Sequence, residues 1–198
     1  MQKKMYLSRP LKSQNPGRKG GDVRFSRVSK DLGNHLKQRK DTYVTTLIDY
    51  YGTREWPGLD GLAGALSPVQ IAERLYEATR QAVDKQFLAQ RSNERFIPFF
   101  AVHEFEALLF SDSAILANEL NIDKGDVDAV VQGCSGPEAI NNSPMTAPSK
   151  RLDDWSPYGK FAKTTVGITV AERIGISRMR ERCPLFDNWL TRLEGTLD

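Results

Sequence analysis

Tyr43-Val-Thr-Thr-Leu-Ile48 runs straight into Asp49, and Phe96-Ile-Pro-Phe-Phe-Ala-Val102 runs straight into His103-Glu104-Phe105-Glu106. Short runs of β-branched and aromatic residues bounded in this way read as buried strands. Between them Ser67-Pro68 opens a helix, with Ser as N-cap and Pro in the first turn, and Ile71, Leu75, Ala78, Ala82 and Val83 as its buried stripe. A strand, helix, strand succession predicts parallel strands joined by a crossover, so both carboxyl ends emerge on one edge of the sheet. Ligands of open α/β sheets bind outside that edge. Asp49, Glu104 and Glu106 are therefore the candidate catalytic and metal-binding residues, and clustered carboxylates suit Mg²⁺ or Mn²⁺.

Working outward, Phe25, Val28, Leu32 and Leu36 recur at helical spacing, with Asp22 as a candidate cap and Gly33 as an unfavourable interior residue. Met5 to Leu11 alternates loosely, and Pro10 makes it an edge strand; residues 13–22 form a loop. Pro98 requires the strand 96–102 to lie at an edge or to be near its start there. Beyond residue 104 the pattern turns helical: Leu108 to Leu120, a short acidic helix from Asp126 to Val131, and two closing helices over 166–174 and 185–193. Ser143 to Arg151, with two prolines, reads as irregular. The expected fold is α/β: a parallel sheet of about three to four strands flanked by helices over 1–110, then a mostly helical elaboration over 111–198 packed on the same domain.

The 198 residues are 39% hydrophobic and 27% charged, ordinary for a soluble globular chain. No apolar stretch has the length of a membrane span, and the basic start has no apolar segment behind it, so neither a membrane protein nor a secretory signal is expected. Cys134 and Cys183 lack metal-ligand spacing and read as free thiols, which suits a cytoplasmic setting. Residues 1–40 hold twelve Lys/Arg against Asp22 and Asp31, whereas residues 104–128 hold seven acids against Lys124 alone. A basic end beside an acidic interior fits a polyanion held next to a cation site; a solvated basic helix face is the competing reading.

The string His103-Glu-Phe-Glu-Ala-Leu-Leu-Phe110 and Thr46-Leu-Ile-Asp-Tyr-Tyr-Gly52 resemble a family of bacterial proteins catalogued as domain of unknown function 4276. Further matching segments are Arg18 to Gly21, Ser135 to Asn141, Thr146-Ala-Pro-Ser-Lys-Arg151, Tyr158 to Lys160 and Cys183 to Trp189. That family is similar to the Toprim fold of primases, topoisomerases and OLD-type nucleases. The resemblance implies divalent-metal phosphodiester chemistry in a bacterial defence or DNA-maintenance system. It also implies a first strand ending in Val-Glu-Gly, after which this chain is expected to start, and an Asp-x-Asp whose counterpart here is Asp49-Tyr50-Tyr51.

Each candidate carries a bland reading beside the functional one. Asp49 would alternatively initiate a turn. Of the two glutamates, Glu104 is the preferred ligand, because residues two apart share a face in a strand but not in a helix. If a helix begins at Phe105, one of them would serve as ligand and the other would favour the helix N-terminus. His103 reads either as a general base or as a hydrogen-bonded junction residue, and His35 as surface. Arg18, Lys19, Lys150, Arg151 and Lys160 are the candidate phosphate-binding residues of a nucleic-acid substrate. A non-catalytic module that binds an ATPase partner is the alternative function. Exposed sheet edge at a missing strand would favour a homodimer.

Overall fold

A computed structural model describes residues 24–50, 53–62, 66–140, 143 and 145–196. Met5 to Leu11, the cap Asp22, and Arg18 and Lys19 lie outside the described residues. Among those described, the sheet has two parallel strands rather than three to four: β1 (Val44–Asp49) and β2 (Phe96–Ala101), with Val44 opposite Phe96 and Asp49 opposite Ala101. The chain is otherwise mostly helical: α1 (Phe25–Gln38) precedes β1, and α2 (Pro68–Phe87) with the short α3 (Ser92–Arg95) connects the strands. A 3₁₀ segment (Phe105–Ser111) leaves β2. It leads to α4 (Ser113–Leu120), α5 (Lys124–Gly133), α6 (Pro148–Trp155), α7 (Val166–Arg182) and α8 (Pro184–Glu194).

The alternation of β1 and β2 divides the core in two. Val44, Ile48, Phe96 and Phe100 face α1 and α2, packing with Leu32, Leu36, Trp56, Leu75, Val83 and Phe87. Ile97, Phe99 and Ala101 face the C-terminal helices, where Phe99 stacks on Trp189 with centroids 4.7 Å apart. Both faces of β2 are thus covered, which is why it reads as an unbroken apolar run. A hydroxyl relay ties the layers: the Trp189 indole N–H donates to Thr45 Oγ1 at 2.8 Å, and Thr45 donates to the Ile97 carbonyl at 2.5 Å.

Local sequence explains the start of α2. Ser67 accepts from the Gln70 N–H while the Gln70 side chain accepts from the Ser67 N–H, closing a capping box at the start of α2. Gly33 sits where α1 crosses α2: a Cβ there would lie 2.7 Å from the Phe87 ring. Close approach of two helices outweighs its cost in helix propensity. The carbonyls at the end of α1 and in the following turn converge on Arg95, a guanidinium only 3% exposed. It donates to Thr42 O (2.8 Å), Leu36 O (3.1 Å), Gln90 O (2.8 Å) and Arg39 O.

The segment 143–151 departs from the irregular reading. Pro148 occupies the first position of α6, where its missing N–H is not needed, so the proline opens a helix instead of preventing one. Lys150 and Arg151 are consequently helical. α7 runs on to Arg182 but breaks at Gly175, whose φ of 74° is accessible to glycine. His35 is half-buried rather than on the surface, and Trp155 is half-buried with its ring tilted against Phe110.

Candidate functional site at the carboxyl edge of the sheet

The parallel register brings the end of β1 beside the chain that leaves β2. Asp49 is the last residue of β1, and its Oδ1 accepts the Phe105 N–H at 3.0 Å. That peptide lies between Glu104 and Glu106, so the three acids meet at one rim. Asp49 is open to solvent on one side, yet the protein around it pushes its pKa up to about 6. Burial is the largest cause; the Glu106 and, more weakly, Glu104 charges add to it, while the Phe105 N–H and Lys163 oppose it.

The two glutamates turn in different directions because the backbone kinks between them. Glu104 has φ 69° and ψ 154°, a region that glycine occupies readily and other residues rarely. Two bonds hold it there: its carboxylate accepts the Ser149 N–H at 2.8 Å and the Ser149 Oγ–H at 2.9 Å. Ser149 is in the first turn of α6, whose N-cap Ala147 offers no side-chain acceptor, so Glu104 caps that helix from 45 residues away. Glu106 lies in the first turn of the 3₁₀ segment, is 12% exposed, and pairs with Lys163 Nζ at 2.5 Å. Partial burial lowers the Lys163 pKa, but Glu106, Glu104 and Asp49 together outweigh this and raise it.

His103 sits at the same junction. Its Nδ1 is buried with no hydrogen-bond partner among the described residues, and burial lowers its pKa, so the ring is neutral at pH 7. The junction is held by the Asp49–Phe105 and Glu104–Ser149 bonds, with no help from Nδ1. Lys150 is exposed on α6 and lies 3.8 Å from Asp153; Arg151 donates to the Thr146 carbonyl at 3.0 Å. Lys160 is exposed beyond Tyr158, which is fully exposed at φ 63°. The structure thus assembles Asp49, Glu104 and Glu106 at one rim. It adds Ser149 and Lys163, which sequence reasoning did not assign: Ser149 stands inside the quoted Ala-Pro-Ser-Lys-Arg string, but Lys163 follows no local pattern.

The donor set bears on which ion the rim suits. Among the described residues, no group of three or more His, Cys, Asp or Glu side chains is arranged to hold a metal ion. Glu104 is bound to Ser149, which leaves Asp49 and Glu106 as two oxygen donors, the second already paired with Lys163. That pair fits Mg²⁺ or Mn²⁺, which keep several waters and take only one or two carboxylates, and does not fit a closed zinc site. No described helix is long and apolar enough to cross a membrane.

Neither a curated protein nor a solved structure matches the chain. A family model described as domain of unknown function (DUF4276) matches residues 1–194, nearly the whole length, and the chain belongs to that family.

Proposed function

We propose that this is a Toprim-like, metal-dependent, nuclease-like domain that processes phosphodiesters in the bacterial cytoplasm, within a defence or DNA-maintenance system. The observation that carries the reading is the approach of Asp49 to Glu106 at the carboxyl edge of a parallel sheet, where burial first and the Glu106 charge second make Asp49 resist ionisation. Mg²⁺ or Mn²⁺ bound there would neutralise charge on a phosphate and lower the pKa of a water. Asp49 and Glu106 would hold the ion. Glu104 orients the rim through Ser149, and Lys163 places a positive charge against Glu106. Lys150 and Arg151 follow Ser149 on α6 and Lys160 is exposed beyond it, and these would be the cations offered to a phosphate backbone.

Engagement of Glu104 by Ser149 and of Glu106 by Lys163 favours a second reading, a non-catalytic module that binds an ATPase partner. Thermal melting with and without Mn²⁺ separates the two. An ion that binds only the folded state stabilises it by mass action, so the parent should melt higher with Mn²⁺ and Asp49→Ala should not respond. An unresponsive parent would leave the module reading.

A further inference from the structure

We infer that Lys163 decides which cation the rim admits: its ammonium is a tethered counter-ion that holds the ion's place on Glu106 and yields it only to a divalent ion. This rests on the metal reading of the site and gives that site its ion selectivity.

The backbone that carries Lys163 is fixed on both sides. Phe161, 4% exposed, donates its N–H to Asp153 Oδ1 at 2.9 Å, and its ring packs so closely on α7 that a Cβ on Gly167 would lie 3.2 Å from it. The Ala162 carbonyl then accepts the Thr165 N–H at 3.2 Å and the Gly167 N–H at 3.1 Å. From that anchored turn the Lys163 side chain crosses to the rim and sets Nζ 2.5 Å from Glu106 Oε1. The two partners differ in exposure: the Glu106 side chain is 12% exposed and that of Lys163 is 56%. The carboxylate is enclosed, whereas the cation is held on a stem with water beside it.

Charge makes this ammonium the resident cation of the rim. It interacts with Glu106, Glu104 and Asp49 together, and its charge opposes the other influences on Asp49. Lys150 and Arg151 are turned instead to Asp153 and to the Thr146 carbonyl. A largely buried carboxylate needs a partner, and Lys163 supplies one while no ion is bound.

The same contact sorts the ions that compete for it. A free Na⁺ or K⁺ brings the same single charge, must give up water and translational freedom, and gains nothing over a cation already tethered to the protein. A divalent ion brings twice the charge to the same carboxylates. Beside it the ammonium would meet like charge where salt screens little, so Lys163 would leave Glu106 as the ion arrives. Its exposed, flexible stem permits this, because the head regains its water on swinging out. A bridge that only fastened the chain before α7 to the rim would leave ion affinity unchanged.

The test is Mn²⁺ titration read by the EPR signal of the free ion, with the intact chain. Lys163→Met keeps the stem and removes the charge. It should bind Mn²⁺ about tenfold more tightly than the parent, the scale of one charge-assisted bond to a carboxylate. Lys163→Gln should match it, and Lys163→Arg should stay near the parent. Glu106→Gln/Lys163→Met should bind no better than Glu106→Gln, because the exchange takes place on Glu106. Replacing tetramethylammonium chloride by KCl at equal ionic strength should weaken Mn²⁺ binding by Lys163→Met and leave the parent unchanged. Equal Mn²⁺ affinity in parent and Lys163→Met would overturn the inference and leave the metal reading standing. So would a gain that persists without the Glu106 charge, or a parent as sensitive to K⁺ as the variant. Binding by neither protein would sink the metal reading and the inference with it.

Discussion

Replacing Asp49 by asparagine should stabilise the protein at neutral pH and flatten its pH profile. The amide side chain keeps an oxygen for the Phe105 N–H and removes only the charge. The folded carboxyl titrates at about 6, against 3.8 when unperturbed. A raised carboxyl pKa means that the folded state holds the proton more tightly. Its stabilising contribution is therefore complete below pH 3.8 and is lost as pH rises through 6. A shift of this size in an enclosed group would be about 3 kcal/mol; solvent reaches one side of Asp49, and screening there brings the expected effect to about 1 kcal/mol. For a chain of this size that is a Tm difference of about 2–4 °C. Melting curves for the parent and for Asp49→Asn, taken without metal from about pH 3.5 to about pH 7.5, should coincide at the acid end. They should diverge above about pH 4, with the variant melting higher than the parent. Parallel curves across the whole range would refute the argument that burial and the neighbouring Glu106 charge hold the Asp49 carboxyl above its ordinary range.

Two further outcomes test the scaffold behind the rim. Arg95→Met should lose about 3–5 kcal/mol in urea unfolding, because several buried carbonyls lose their donor at once; a loss under about 1 kcal/mol would show that Arg95 does not hold the end of α1. Gly33→Ala should cost about 1–3 kcal/mol despite its better helix propensity, since its Cβ meets the buried Phe87 ring. Combining it with Phe87→Leu should recover part of that loss, and no recovery would place the cost elsewhere.

What could be read from the sequence follows the range of the forces involved. β1, β2 and the α2 cap were legible because burial on both faces and a capping box are written within a few residues. The meeting of Asp49 with Glu104 and Glu106 was legible because parallel connection places strand ends together. α6 was missed because two prolines looked like interruption, although the second occupies a helix start. Lys163 reaches Glu106 across 57 positions, and Glu138 caps α8 by accepting the Leu185 and Phe186 N–H groups at 2.8 and 2.9 Å, 47 and 48 positions away. Such pairs exist only once the helices have packed, so no local pattern announces them.

The kink at Glu104 explains how two acids one residue apart take different work. In a continued strand both side chains would share a face, and in a regular helix they would lie well apart around the axis. With Glu104 in a glycine-like conformation, its carboxylate turns to the start of α6, while Glu106 enters the next turn toward Asp49 and Lys163. The larger of the two glutamate effects on Asp49 is accordingly that of Glu106. A strained backbone of this kind costs on the order of 1–3 kcal/mol and persists only where its surroundings over-determine it. Here the Ser149 bonds supply that constraint, and the return is a rim in which one glutamate is fixed as structure and the other remains facing Asp49. The strain therefore separates the two glutamates by role: Glu104 is spent on the start of α6, and Glu106 is the one that acts on Asp49 and Lys163.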